Sequence, residues 1–71
     1  MTTRIDARGM RCPWPAIRLA RALRDASPGS EVEILADDPV APGELERTAL
    51  QAGAVFIRVE TAKFIVRIGS E

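Results

Sequence analysis

The sequence predicts an α/β (α+β) two-layer sandwich in the order βαβαββ, a four-stranded mixed sheet with two helices on one face. Three observations predict it. Apolar spacing changes from strand-like alternation to helical repeats and back along the chain. Proline and glycine stand at each change. The 71 residues are 46% apolar and 28% charged, the balance of a globular chain with a small core. At this length residues 1–71 are expected to form one domain, since domains typically run to roughly 100–150 residues.

Residues 4–7 read as a short strand closed by Gly9. After Cys12-Pro13-Trp14-Pro15, the apolar residues Ala16, Ile17, Leu19, Ala20, Leu23 and Ala26 keep helical spacing, while Arg18, Arg21 and Asp25 take another face. Ser27-Pro28-Gly29-Ser30 stops that helix and turns the chain. Residues 31–36 begin by alternating, with Glu31 and Glu33 out and Val32 and Ile34 in. Asp37-Asp38-Pro39 marks the strand exit, because the residue before a proline is pushed out of the α region. A second helix is expected over residues 42–52 with Pro42 as its first residue. Leu45, Ala49 and Ala52 line one stripe, Glu44 and Glu46 suit a positive helix start, and Gly53 suits its end. Residues 54–60 and 63–68 are β-branched and alternating, with Val55, Ile57 and Val59 on one face of the first and Phe64, Val66 and Ile68 on one face of the second. They are expected to pair as a hairpin. Thr61-Ala62 lacks the Gly or Asn that positive φ requires, so a loop longer than two residues is expected. Right-handed crossovers put both helices on one side of the sheet and leave the other face open to solvent or a partner.

The residue inventory excludes much chemistry. Histidine and tyrosine are absent and cysteine occurs once, at Cys12. A Ser-His-Asp or Cys-His apparatus is impossible, and one thiol makes neither an internal disulfide nor a structural metal site. The zero net charge hides a segregation: residues 1–24 hold six arginines against Asp6, whereas residues 25–46 hold seven carboxylates and no base. Cys12 sits in the positive third. The opening Met-Thr-Thr-Arg reads as neither signal peptide nor anchor, and no apolar run approaches the roughly 18 residues of a membrane span, so a cytoplasmic protein with no membrane contact is expected. A free cysteine fits such a reducing compartment.

Cys12 before two prolines at a helix start is the most informative feature. Pro13 at the first helical position and Pro15 at the third break no helical hydrogen bond and stiffen the turn. Cys12 then becomes the cap residue, with the Trp14 N–H as the remaining donor near its sulfur. The helix dipole favours a thiolate there, and Arg11 and Arg8 add positive charge. Cysteine caps a helix less well than serine, threonine, aspartate or asparagine, so its choice suggests that the sulfur is wanted for itself. Trp14 either packs over the first turn or stands exposed as a docking anchor. Arg18 and Arg21 either continue a positive docking rim from Arg11 or are simply solvated. Asp37 and Asp38 either hold the cysteine loop, by accepting its N–H groups or pairing Arg8 or Arg11, or serve only as turn and cap.

The run from Asp6 through Arg8, Gly9, Cys12 and Pro13 to Pro15, the Pro28-Gly29 turn and Asp37-Asp38-Pro39 together resemble the TusA/SirA family of sulfur carriers over nearly the whole chain. That resemblance implies a sandwich like the C-terminal domain of a translation initiation factor. It implies that Cys12 carries sulfane sulfur as a persulfide, with Pro13, Pro15 and Gly9 shaping its loop. A persulfide donor, either a cysteine desulfurase or a rhodanese-like protein, and an acceptor protein of a sulfur relay would be the partners of a monomeric carrier, and neither metal nor organic cofactor is implied. Two other readings stay open: a non-catalytic regulatory or interaction module, and a thiol redox sensor. Direct nucleic-acid binding is disfavoured by the zero net charge, the single lysine and only three aromatics.

Overall fold

The computed structural model describes residues 2–69. Six elements run in order: β1 (Thr2–Asp6), α1 (Trp14–Asp25), β2 (Glu31–Leu35), α2 (Ala41–Gln51), β3 (Val55–Glu60) and β4 (Lys63–Arg67). They form one sheet of order β1-β2-β4-β3, in which β1 and β2 are parallel while β4 is antiparallel to both β2 and β3. The mixed sheet and its two helices are the α+β sandwich that the patterning predicts.

One face of the sheet makes the core. Ile5, Val32, Ile34, Phe64 and Val66 point from the strands toward Leu19 of α1 and Leu45 and Ala49 of α2, all buried. Phe56 of β3 joins them from the edge, its ring 5.4 Å from that of Phe64. The helices also pack on each other. Small residues carry the connections between elements: Ala7, Ala36 and Ala54 are buried at strand ends, where larger side chains would hold sheet and helices apart.

Several boundaries differ from expectation. β1 begins at Thr2, because Thr2 and Thr3 are β-branched and find parallel partners in Glu31 and Val32. Ala7 lies just past the strand, yet its N–H still donates to the Leu35 carbonyl at 2.7 Å. α2 starts at Ala41, with Pro42 second. The Asp38 carbonyl accepts the Ala41 N–H at 2.9 Å, which begins the turn one residue early, and a proline at the second position lacks only an N–H with no helical partner. α2 ends through Gly53 at φ +72, a left-handed conformation in which glycine pays no side-chain clash.

The hairpin loop is two residues long, not longer. Glu60 pairs with Lys63 across Thr61-Ala62, and no residue other than glycine has positive φ among the described residues. A bulge replaces the missing turn geometry: the register passes from Arg58↔Phe64 to Glu60↔Lys63, leaving Val59 without a partner and supplying extra twist. The Arg58 guanidinium locks the corner by donating to the Thr61 carbonyl at 3.0 Å. The face shared by Val55 and Ile57 is the open one, and Val55, Ile57 and Val59 are all exposed.

Candidate functional site

β1 and β2 run parallel, so their C-terminal ends lie side by side. The loop that carries Cys12 leaves β1 there, and Asp37-Asp38 leaves β2 at the same end. Across a sequence gap of nearly thirty residues the acidic turn therefore meets the cysteine loop. The Asp37 carboxylate accepts the Gly9 N–H at 3.0 Å. Asp38 accepts the Cys12 N–H at 2.7 Å on one oxygen and the Val40 N–H at 3.0 Å on the other. One carboxylate thus ties the cysteine backbone to the start of α2.

These bonds keep Asp38 below the ordinary carboxylate range, first through the Val40 N–H, then through the Cys12 N–H, with a smaller contribution from the charge of Arg11. Of the two holding modes open to the acidic pair, N–H acceptance is the one observed. Arg8 is engaged elsewhere: its guanidinium pairs with Asp6 at 2.8 Å, and its N–H donates to the same carboxylate at 3.1 Å. Asp6 is lowered to about 2 as a result, chiefly by the Arg8 side chain. Gly9, at φ +83, turns the chain between the Asp6 clamp and the Asp37 bond.

Cys12 is not the cap of α1. The helix begins at Trp14 with Pro13 as its cap residue, so Cys12 stands one residue further out, joined to Pro13 by a cis peptide bond. Pro13 and Pro15 consequently occupy the cap and the second helical position. The Trp14 N–H is taken by the Arg11 carbonyl at 2.8 Å and is no donor for the sulfur. What the loop gives the thiol is placement: Arg11, Cys12, Pro13 and Trp14 are all exposed, while Pro15 and Ala16 anchor the following turn in the core. Trp14 is 59% exposed, so its indole does not pack away over the first turn. Arg18 reaches back to the Met10 sulfur at 3.9 Å.

Sequence reasoning gave no role to Asp6, although it opens the motif, and passed over Val40. Asp6 had a signal, since an aspartate two residues before an N–H donor at a strand end forms an Asx turn. Val40 had none, because its place beside Cys12 exists only through the shared Asp38 carboxylate. Among the described residues no group of three or more acidic or cysteine side chains could hold a metal ion, and no helix is long and apolar enough to cross a membrane. The groove between α1 and α2, lined by Ala20, Leu23, Thr48 and Gln51, lies away from Cys12 and does not include it.

A crystal structure described as a SirA-like protein, from Desulfitobacterium hafniense, superposes with a TM-score of 0.76 at 27% identity, covering 97% of this chain and 99% of that one. A relative named "Putative sulfur carrier protein" from Archaeoglobus fulgidus is 31% identical, over 94% of each chain. Another of the same description, from Neisseria meningitidis, is 36% identical over 75% of this chain and 72% of its own. Fold and relatives together define a SirA-like sulfur-carrier domain. Residues 3–69 match the family described as Sulfurtransferase TusA, and the chain belongs to that family.

Proposed function

We propose that Cys12 accepts sulfane sulfur from a donor protein, carries it as a persulfide, and passes it to the thiol of an acceptor protein. The observation that supports this most directly is the placement of the sole cysteine: it is exposed on a loop whose backbone is pinned by Asp37 and Asp38. Enzymes that act on small substrates enclose them in concave pockets, whereas a thiol exposed on a pinned loop suits exchange between macromolecules.

The chemistry needs no histidine, metal or organic cofactor. The Cys12 thiolate attacks the outer sulfur of the donor persulfide, a new S–S bond forms, and the donor thiolate leaves with the electron pair of the broken S–S bond. An acceptor thiolate then attacks the outer sulfur on Cys12, and the Cys12 thiolate leaves in turn. No net oxidation occurs in either transfer. Since no second cysteine exists to resolve the persulfide internally, the sulfur leaves to another molecule, and the protein is a carrier as much as a catalyst. Asp38 acts on the backbone of Cys12 and is a positioning residue, as are Asp37, Gly9, Pro13 and Pro15. Such a carrier works as a monomer in the reducing cytoplasm.

Mass spectrometry after incubation with a cysteine desulfurase, cysteine and pyridoxal phosphate tests the reading. The expected product gains one sulfur atom, loses it on reduction, and is absent for Cys12→Ser. A wild-type protein that stays unloaded with desulfurase and rhodanese-type donors alike, or that gains only glutathione, would overturn the carrier reading; the second result would support a redox sensor.

A further inference from the structure

The outer face of α1 begins two residues after Cys12. Trp14, Ile17 and Arg21 succeed one another at i, i+3 and i+7, opposite the buried Leu19, with Arg18 and Arg24 on either flank. Trp14 and Ile17 are 59% and 38% exposed. This apolar pair sits amid arginines that have no carboxylate partner among the described residues. Among the described residues Arg11, Arg18, Arg21 and Arg24 form no ion pair, although Arg4, Arg8, Arg47, Lys63 and Arg67 all do.

We propose that this surface, Trp14 and Ile17 framed by Arg11, Arg18 and Arg21, docks a protein whose reactive sulfur is surrounded by acidic residues. The proposal rests on the carrier reading for its purpose and on charge complementarity for its occupant. An aromatic anchor with arginines matches the composition of interface centres. Guanidiniums without carboxylate partners steer an acidic partner toward the cysteine and fix its register by bidentate contacts to carboxylates. Nucleic acid fits the same charges less well. Among the described residues Trp14 is the only exposed aromatic, since Phe56 and Phe64 stack inside, too few for a base-stacking platform.

The test uses two short peptides, identical except that the cysteine is flanked by aspartate and glutamate in one and by lysine in the other. Each is activated as a mixed disulfide with thionitrobenzoate. Attack by Cys12 forms the protein–peptide disulfide and releases the thionitrobenzoate thiolate, which is followed by its absorbance. At low ionic strength the acidic peptide is expected to react about tenfold faster or more, and the advantage should shrink toward unity near 1 M salt, where the screening length is only about 3 Å. Arg18→Glu with Arg21→Glu should reverse the preference, while the rate with neutral iodoacetamide stays unchanged. If that variant fails to fold, Arg18→Gln with Arg21→Gln should abolish the preference without reversing it. Equal rates for the two peptides, or a preference that survives the double substitution, would overturn the proposal. So would a single-stranded RNA that competes as strongly as the acidic peptide, an outcome that assigns the face to nucleic acid. Because neither peptide carries sulfane sulfur, failure of docking and failure of sulfur loading are read separately.

Discussion

The open face of the sheet and the outer face of α1 both expose apolar side chains, and they treat charge in opposite ways. On the open face of the sheet, Val55 and Ile57 adjoin a ladder of internal ion pairs: Arg4 and Lys63 both reach Glu33, at 3.6 and 3.5 Å, and Arg67 reaches Glu31 at 3.0 Å. On the outer face of α1, Trp14 and Ile17 stand among arginines without such partners. Charges on β2 and β4 are answered across neighbouring strands, as cross-strand pairs commonly are. Those on α1 are left available. A surface that holds its arginines without ion pairs beside an exposed thiol leaves them available to another molecule, whereas the sheet face commits its charges to its own strands.

The comparison can be broken most severely from beneath. Phe64 lies fully buried under the sheet and supports both surfaces through Phe56 and the helices. Phe64→Ala should cost about 3–5 kcal/mol in a denaturant titration, and in so small a domain that erases both regions together. A smaller change separates them. Gly9→Ala meets no steric obstacle, since nothing lies within 4 Å of an added Cβ, yet φ +83 disfavours any side chain there. It should lower stability by about 1–2 kcal/mol and raise amide exchange in the Cys12 loop, leaving the exchange of β3 and β4 unchanged. Loss of protection in the hairpin as well would show that the loop is not an independent unit.

Acid separates them more gently. Asp6 falls from 3.8 to about 2 on folding, and Asp38 is lowered in the same direction. For depressed carboxylates the stabilisation is fully present above the unfolded value and is lost as pH falls through the folded one. The Asp6 clamp should therefore hold above pH 3.8 and release as pH approaches 2. The Cys12 and Val40 amide resonances should titrate below pH 3.8 with Asp38. Asp38→Asn should abolish that titration; its persistence would mean that the carboxylate does not hold the loop. The smallest effect belongs to the sheet: Glu33→Gln removes two partly exposed ion pairs and should cost no more than about 1 kcal/mol, less at high salt, with sulfur transfer unaffected.

Most of the fold was legible because its punctuation is strong. Pro28-Gly29 and Gly53 end the helices, and the alternation of residues 31–36 places Val32 and Ile34 inside. What escaped was contextual. Alternation in β3 shows that Val55 and Ile57 share a face, but which face the helices cover is decided by Phe56, whose ring finds Phe64. The two-residue hairpin depends on a bulge at Val59, which no turn residue announces. At the site, Cys12 and its prolines were visible in the sequence, and so were both candidate roles of Asp37 and Asp38. Displacement of Cys12 from the cap was not, because it follows from the Arg11 carbonyl capturing the Trp14 N–H, a local choice that composition does not reveal.

The central claim is that Cys12 both receives sulfur and gives it up, and a single-turnover chase with radiolabelled sulfane sulfur tests it most directly. Protein loaded from a persulfide donor is freed of donor and mixed with an acceptor thiol protein, and the label on each is followed in time. The account predicts that the label passes to the acceptor while Cys12 returns to a free thiol in equal amount. Label that stays on Cys12 until a reductant removes it, or that loads equally well onto Cys12→Ser, would contradict it.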